Sequence, residues 1–127
     1  MIGYVTLGTN DFDKACAFYD TLMAEMDAKR TWQMESFVVW GTGPEQPSLC
    51  VTKPYDGNAA TVGNGVMVAL QLPSREAVDR VYAKALAAGG TDEGAPGVRG
   101  DEAMGFYAGY FRDLDGNKLN AFCIGAG

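Results

Sequence analysis

The chain contains no histidine among its 127 residues. That count removes imidazole acid–base catalysis and every His-ligated metal site. The cysteines, Cys16, Cys50 and Cys123, are widely spaced, form no C-x-x-C pair and sit among apolar residues. They read as buried small hydrophobes, not as a disulfide framework or a zinc site. Asp113 and Asp115 lie in a D-x-D-G stretch, but the ligand spacing of a calcium loop is missing, so turn chemistry is expected. Gly41-x-Gly43 and Gly63-x-Gly65 do not precede helices, as a phosphate-binding loop would, and read as loop glycines. What remains for chemistry is phenols, hydroxyls and amides set among apolar residues. Such groups orient a small molecule by hydrogen bonds and ring contacts; they do not make a nucleophile–base pair.

Charge narrows the partners. Ten basic residues against 16 acidic give a net charge of −6. Both halves are acidic, −4 over residues 1–63 and −2 over residues 64–127, so no basic patch hides behind the average. Nucleic acid is therefore not an expected partner. The acidity would suit a cationic ligand. The length is that of one domain able to bury a real core. No stretch approaches the run of apolar residues a membrane span needs, and no basic residue precedes Lys14 as a signal peptide would require. A cytoplasmic protein is expected.

The elements that must position these groups alternate in type. Residues 2–8 read as a strand, and Asn10 or Asp11 can cap a helix running from Phe12 to about Met26. Short strands are expected around Thr31–Met34, Phe37–Trp40 and Ser48–Thr52, then a loop over residues 53–65. The pattern restarts with a strand at 65–72, stopped by Pro73, and a helix capped by Ser74 and ended by Gly89-Gly90. A strand near 91–98 follows, then a hairpin of 105–112 and 117–124 around Asp115-Gly116. Both halves share the order strand, helix, three strands. An offset of 63 residues pairs Val5 with Val68, Leu7 with Leu70, Tyr19 with Tyr82 and Ala24 with Ala87. We read an internal duplication within one domain, with modules of about 1–56 and 64–127 and a linker at 57–63.

The stretches VTLGTNDFDKACAFYDTL (5–22), VGNGVMVALQLPSREAVDRVYAKALAAGG (62–90) and GYFRDLDGNKLNAFC (109–123) resemble the vicinal oxygen chelate superfamily of glyoxalases, bleomycin-resistance proteins and extradiol dioxygenases. The resemblance implies an α+β fold of two βαβββ modules, a curved mixed sheet forming an open cup with helices on its convex side. It also implies metal ligands at positions occupied here by Tyr4, Met67 and Asn120. A neutral phenol, a thioether and a carboxamide bring no anionic charge to a hard divalent cation, so no metal or other cofactor is expected.

Strand alternation agrees with this phasing. If Tyr4, Met67 and Asn120 face the cup, then Ile2, Thr6, Ala69, Gln71, Lys118 and Phe122 do too. The other face then collects Val5, Leu7, Val66, Val68, Leu70, Leu72, Leu119, Ala121 and Cys123, all apolar. The resemblance puts Tyr110 in the cup as well. The expected ligand pocket is therefore Tyr4, Thr6, Met67, Tyr110, Asn120 and Phe122, with Gln71 and Arg112 nearer the rim. No catalytic residue is assigned. Together these point to a metal-free protein that binds and sequesters a small organic molecule, cationic or aromatic. The alternative is a small glyoxalase-like lyase or isomerase, or a dioxygenase-like enzyme, with a non-standard site. A homodimer is expected, because an open cup leaves sheet edges and apolar surface that one short chain covers poorly.

Overall fold

The computed structural model describes residues 1–125. Its first half runs β1 (Tyr4–Gly8), α1 (Phe12–Ala24), β2 (Lys29–Gln33), β3 (Phe37–Gly41) and β4 (Ser48–Thr52). The second runs β5 (Val68–Gln71), α2 (Arg75–Ala87), β6 (Thr91–Val98), a short 3-10 turn (Glu102–Met104), β7 (Phe106–Arg112) and β8 (Lys118–Ile124). The strands form two four-stranded sheets of identical topology, β1-β4-β3-β2 and β5-β8-β7-β6. In each, the first strand pairs parallel with the last, and the other pairings are antiparallel. Both helices have 13 residues, and their first residues stand at the 63-residue offset of the repeat. The α+β architecture of two βαβββ modules is therefore present, each helix lying on one face of its sheet.

Several boundaries differ from the sequence reading. Asp11, not Asn10, caps α1, its Oδ1 accepting from the Lys14 N–H at 3.3 Å. Asn10 instead pins the connecting loop, accepting from the Ala60 N–H and donating to the Ala60 carbonyl. Helix α1 ends two residues before Met26, where Asp27 adopts φ 57° and the Ala28 N–H returns to the Met23 carbonyl. Strand β5 starts only at Val68, because Gly65 at φ 97° carries the chain through a turn that Val66 closes onto the Gly63 carbonyl. Val66 is consequently 61% exposed and does not join the apolar face. Gly41 is the last residue of β3, not a loop glycine.

The apolar faces of the two sheets share one core. Leu7, Val38, Trp40, Leu49 and Val51 from the first sheet lie in the same buried cluster as Phe111, Leu119, Ala121 and Cys123 from the second. The inward sides of α1 (Phe18, Tyr19, Leu22) and α2 (Val78, Val81, Ala85) complete it. The modules therefore stand back to back, and their other faces look away from this core. Burial on the order of 25 cal/mol per Å² of apolar surface makes the shared core the main source of stability. Among the described residues, no helix is long and apolar enough to cross a membrane.

One buried carboxylate ties the modules together. Asp113, in the β7–β8 turn, accepts from the Tyr19 hydroxyl of α1 at 2.7 Å. It also accepts from the N–H groups of Asp115 and Asn117 and from Asn117 Nδ2, all at 2.9 Å. Asn117 Nδ2 in turn donates to the Gly8 carbonyl at the end of β1, at 3.0 Å. A second cluster holds β2 to α1: Asp20 accepts from Arg30 Nε, Arg30 Nη2 and Trp40 Nε1 at 2.7–2.9 Å. These donors hold the Asp20 carboxyl below its usual value.

Tyr19→Phe is expected to cost about 1.5–3 kcal/mol, the range for a hydrogen bond to a charged partner, measurable by urea unfolding. Burial, and then the adjoining Asp113 carboxylate, push the Tyr19 phenol well above its ordinary 10.0. A phenol whose folded value is raised contributes stability that is fully present below the unfolded value and lost as pH climbs through the folded one. Unfolding free energy should therefore fall more steeply above pH 10.0 in the parent protein than in Tyr19→Phe. Equal slopes would remove Tyr19 from this role.

Candidate functional site

Two outward faces carry the candidate site. The registers of the first sheet set a row Thr6, Cys50, Val39, Trp32 across it, flanked by Tyr4 beside Ser48 and by Thr52 beside Phe37. All of these except Trp32 line a cavity of about 610 Å³. No charged side chain lines it; aromatic and aliphatic walls surround the hydroxyls of Tyr4, Thr6, Thr31, Ser48 and Thr52. Cys50 lies buried at its floor, and burial pushes its thiol up, offset in part by the neighbouring Thr6 hydroxyl. Tyr4 is 67% exposed and Trp32 61% exposed, so large rings stand open on this face.

On the second sheet the corresponding row is Ala69, Asn120, Tyr110, Gly94. Asn120 is 1% exposed, and its Oδ1 has no hydrogen-bond partner. A buried acceptor without a donor costs folding free energy. Phe122, next along the same face, stacks on Phe106 with ring centroids 5.4 Å apart. Tyr110 carries Arg99 at 5.3 Å and Lys118 at 5.6 Å from its ring centroid. Arg112 is held at the rim by Glu93 and by the Gly116 carbonyl.

The expected pocket residues are thus divided. Tyr4 and Thr6 belong to the cavity on the first sheet. Tyr110, Asn120, Phe122 and Arg112 share the outward face of the second. Met67 and Gln71 line a separate groove of about 560 Å³ between the edge strands β1 and β5, beside Val5, Met23 and Met26. Within one chain these sets do not meet in one cavity, because the modules turn their open faces apart. Sequence reasoning also missed Phe37, Val39, Ser48, Cys50 and Thr52. Their alternation in β3 and β4 carried the signal, but the face of these strands was not phased.

The superfamily's metal invites a test of the donors. Tyr4, Met67 and Asn120 supply no anionic oxygen, imidazole or thiolate, and Cys50, beside Thr6 across the sheet, is buried, which pushes its thiol up and disfavours the thiolate. Among the described residues no three His, Cys, Asp or Glu side chains are grouped to hold an ion. This donor set does not fit a divalent cation.

Two βαβββ modules with equal strand orders, each offering an open face backed by a helix, define a class of paired-module proteins. The chain belongs to the glyoxalase/bleomycin resistance protein/dioxygenase superfamily, whose family model matches residues 1–121. It is similar to the crystal structure of a glyoxalase/bleomycin resistance protein from Albidiferax ferrireducens T118, with 31% identity over 97% of this chain and 98% of that one, at a TM-score of 0.87. It is also similar to a hypothetical protein from S. aureus, with 26% identity over 97% and 92% of the two chains and a TM-score of 0.73. A lactoylglutathione lyase from Agrobacterium tumefaciens shares the fold at 19% identity, over 97% and 92% of the chains, with a TM-score of 0.67. No curated protein sequence matches the chain.

The unpartnered amide yields a prediction. Asn120→Leu removes a buried acceptor without a donor, so stability should hold or rise by up to about 1 kcal/mol in urea titrations. A loss above about 2 kcal/mol would mean that the amide serves the fold and not the site.

Proposed function

We propose that this protein binds and sequesters a small aromatic molecule without the aid of a metal, and that it does so as a homodimer. The observation that carries the reading is the uncharged cavity of about 610 Å³, with rings in its walls and hydroxyls across its floor. Its volume falls in the range of small-molecule sites. Of the two ligand classes suggested by composition, this lining favours the aromatic one, since nothing in it selects a cation. The absence of histidine and the neutral donors at the three inherited positions support binding over metal-assisted chemistry. Pairing is supported by the open rings of Tyr4 and Trp32 and by β1 and β5, each at a sheet edge. A second copy would cover the open faces and enclose a ligand held there.

Three measurements test this. Purified protein should carry no stoichiometric divalent metal, and EDTA should leave its melting temperature unchanged. A neutral aromatic probe, 2-naphthol, should raise that temperature, and Tyr4→Ala should reduce the rise. Light scattering should give twice 13.5 kDa. One metal per chain, removable with loss of a lyase or dioxygenase activity, would replace this reading with the enzymatic one.

A further inference from the structure

We infer that the cavity on the first sheet has a polar end and an apolar end, and that its ligand is an uncharged aromatic carboxamide seated with the amide among Tyr4, Thr31 and Ser48. This rests on the ligand-binding reading above and names the head group and the orientation of what is bound.

The hydroxyls of the cavity are not equivalent. That of Thr52 is spent on the backbone, donating to the Lys53 carbonyl at 2.8 Å. In the middle of the floor the Thr6 hydroxyl is directed to the Cys50 sulfur, its partner in the β1–β4 register. Among the described residues, the lining hydroxyls of Tyr4, Thr31 and Ser48 make no hydrogen bond within the chain. These three gather at one end. Tyr4 and Ser48 are register partners at the start of β1 and β4. Gly41 ends β3 next to them, and a Cβ there would lie 2.9 Å from Ser48 Oγ and 3.8 Å from Thr31 Cγ2. Since β4 and β2 flank β3, the missing side chain leaves a gap bordered by Ser48 on one side and Thr31 on the other.

The opposite end is apolar. Phe37 stands beside Thr52 and Val39 beside Cys50, so with the Thr52 hydroxyl and the Cys50 thiol engaged this end offers a ring and aliphatic surface. Ser48 and Thr52 are four residues apart on β4, roughly 13 Å at about 3.3 Å per residue. A fused bicyclic ring with a short substituent spans that length.

Unmet hydroxyls set the head group. Each one both donates and accepts, so together they match a group that does both. A carboxamide brings two N–H donors and a carbonyl in one plane. A carboxylate only accepts and an ammonium only donates. Either would also shed its hydration with no opposite charge in the lining to replace it. The ring lies against Phe37 and Val39, where apolar burial and ring contact favour it.

Three probes of equal size test the head group: 2-naphthamide, 2-acetonaphthone and 2-naphthoate, titrated calorimetrically into the full chain. The amide should bind about tenfold more tightly than the ketone, which accepts but cannot donate, and the carboxylate least. Thr31→Val with Ser48→Ala should erase the preference for the amide while the ketone and 2-naphthol still bind. Gly41→Ala removes no hydroxyl but crowds that of Ser48, and should reduce the preference too. Phe37→Ala should weaken amide and ketone alike and keep their ratio. Equal binding of amide and ketone, tightest binding of the carboxylate, or a preference that survives the double substitution overturns the polar-end assignment and leaves the ligand-binding reading standing. No binding by any of the three probes or by 2-naphthol overturns both.

Discussion

The fold turns on the carboxylate of Asp113. It sits in the β7–β8 turn of the second module and accepts four hydrogen bonds, three from its own hairpin and one from the buried Tyr19 of the first module. Through Asn117 the same knot reaches the end of β1. A charged group can be buried at tolerable cost only where its lone pairs are filled, and here they are filled by both modules at once. The hairpin conformation and the docking of the modules are therefore one structural event. Asn10 extends the link, its N–H donating to Asp115 in the same turn.

Docking of this kind decides where recognition can occur. Because the helices and the apolar sheet faces are consumed in the common core, the remaining faces are directed outward. At the centre of each lies a buried side chain, the Cys50 thiol on one sheet and the Asn120 amide on the other, bordered by rings. The first face is neutral and hydroxylated, and the second is cationic and aromatic. The two modules share topology and helix length, while the chemistry of their outward faces differs.

Much of the fold was legible in the sequence. The helical spacing from Phe12, the Ser74 cap and the Asp-Gly turn locate both helices and the last hairpin to within a few residues, because local sterics and hydrogen bonding decide those features. Alternation in β1 and β8 assigned Leu7, Leu119, Ala121 and Cys123 to the core correctly, while Val66 failed because a glycine turn delayed β5. The site was less readable. Which residues share a face follows from period two within a strand, but whether two faces share a cavity depends on how the modules dock. That docking is governed by Tyr19 and Asp113, residues 94 apart, which local pattern assigns to a helix core and a turn. Arg99 was missed for a similar reason, since it reaches Tyr110 from outside the regular strands.

The loop between the modules follows a long exposed course from Lys53 to Met67, fastened at Ala60 by Asn10. It adds no residue to the buried core and meets the Asp113 knot only through Asn10, which also donates to Asp115. Its contribution is entropic, raising the effective concentration of one module near the other. Each module alone would leave half of a common core in water, so neither is a folding unit in its own right. Severed within this loop, the halves are complementary fragments: two chains of like topology, each incomplete, held by the same interface that the intact chain folds around. The paired-module architecture is in this sense a heterodimer made covalent.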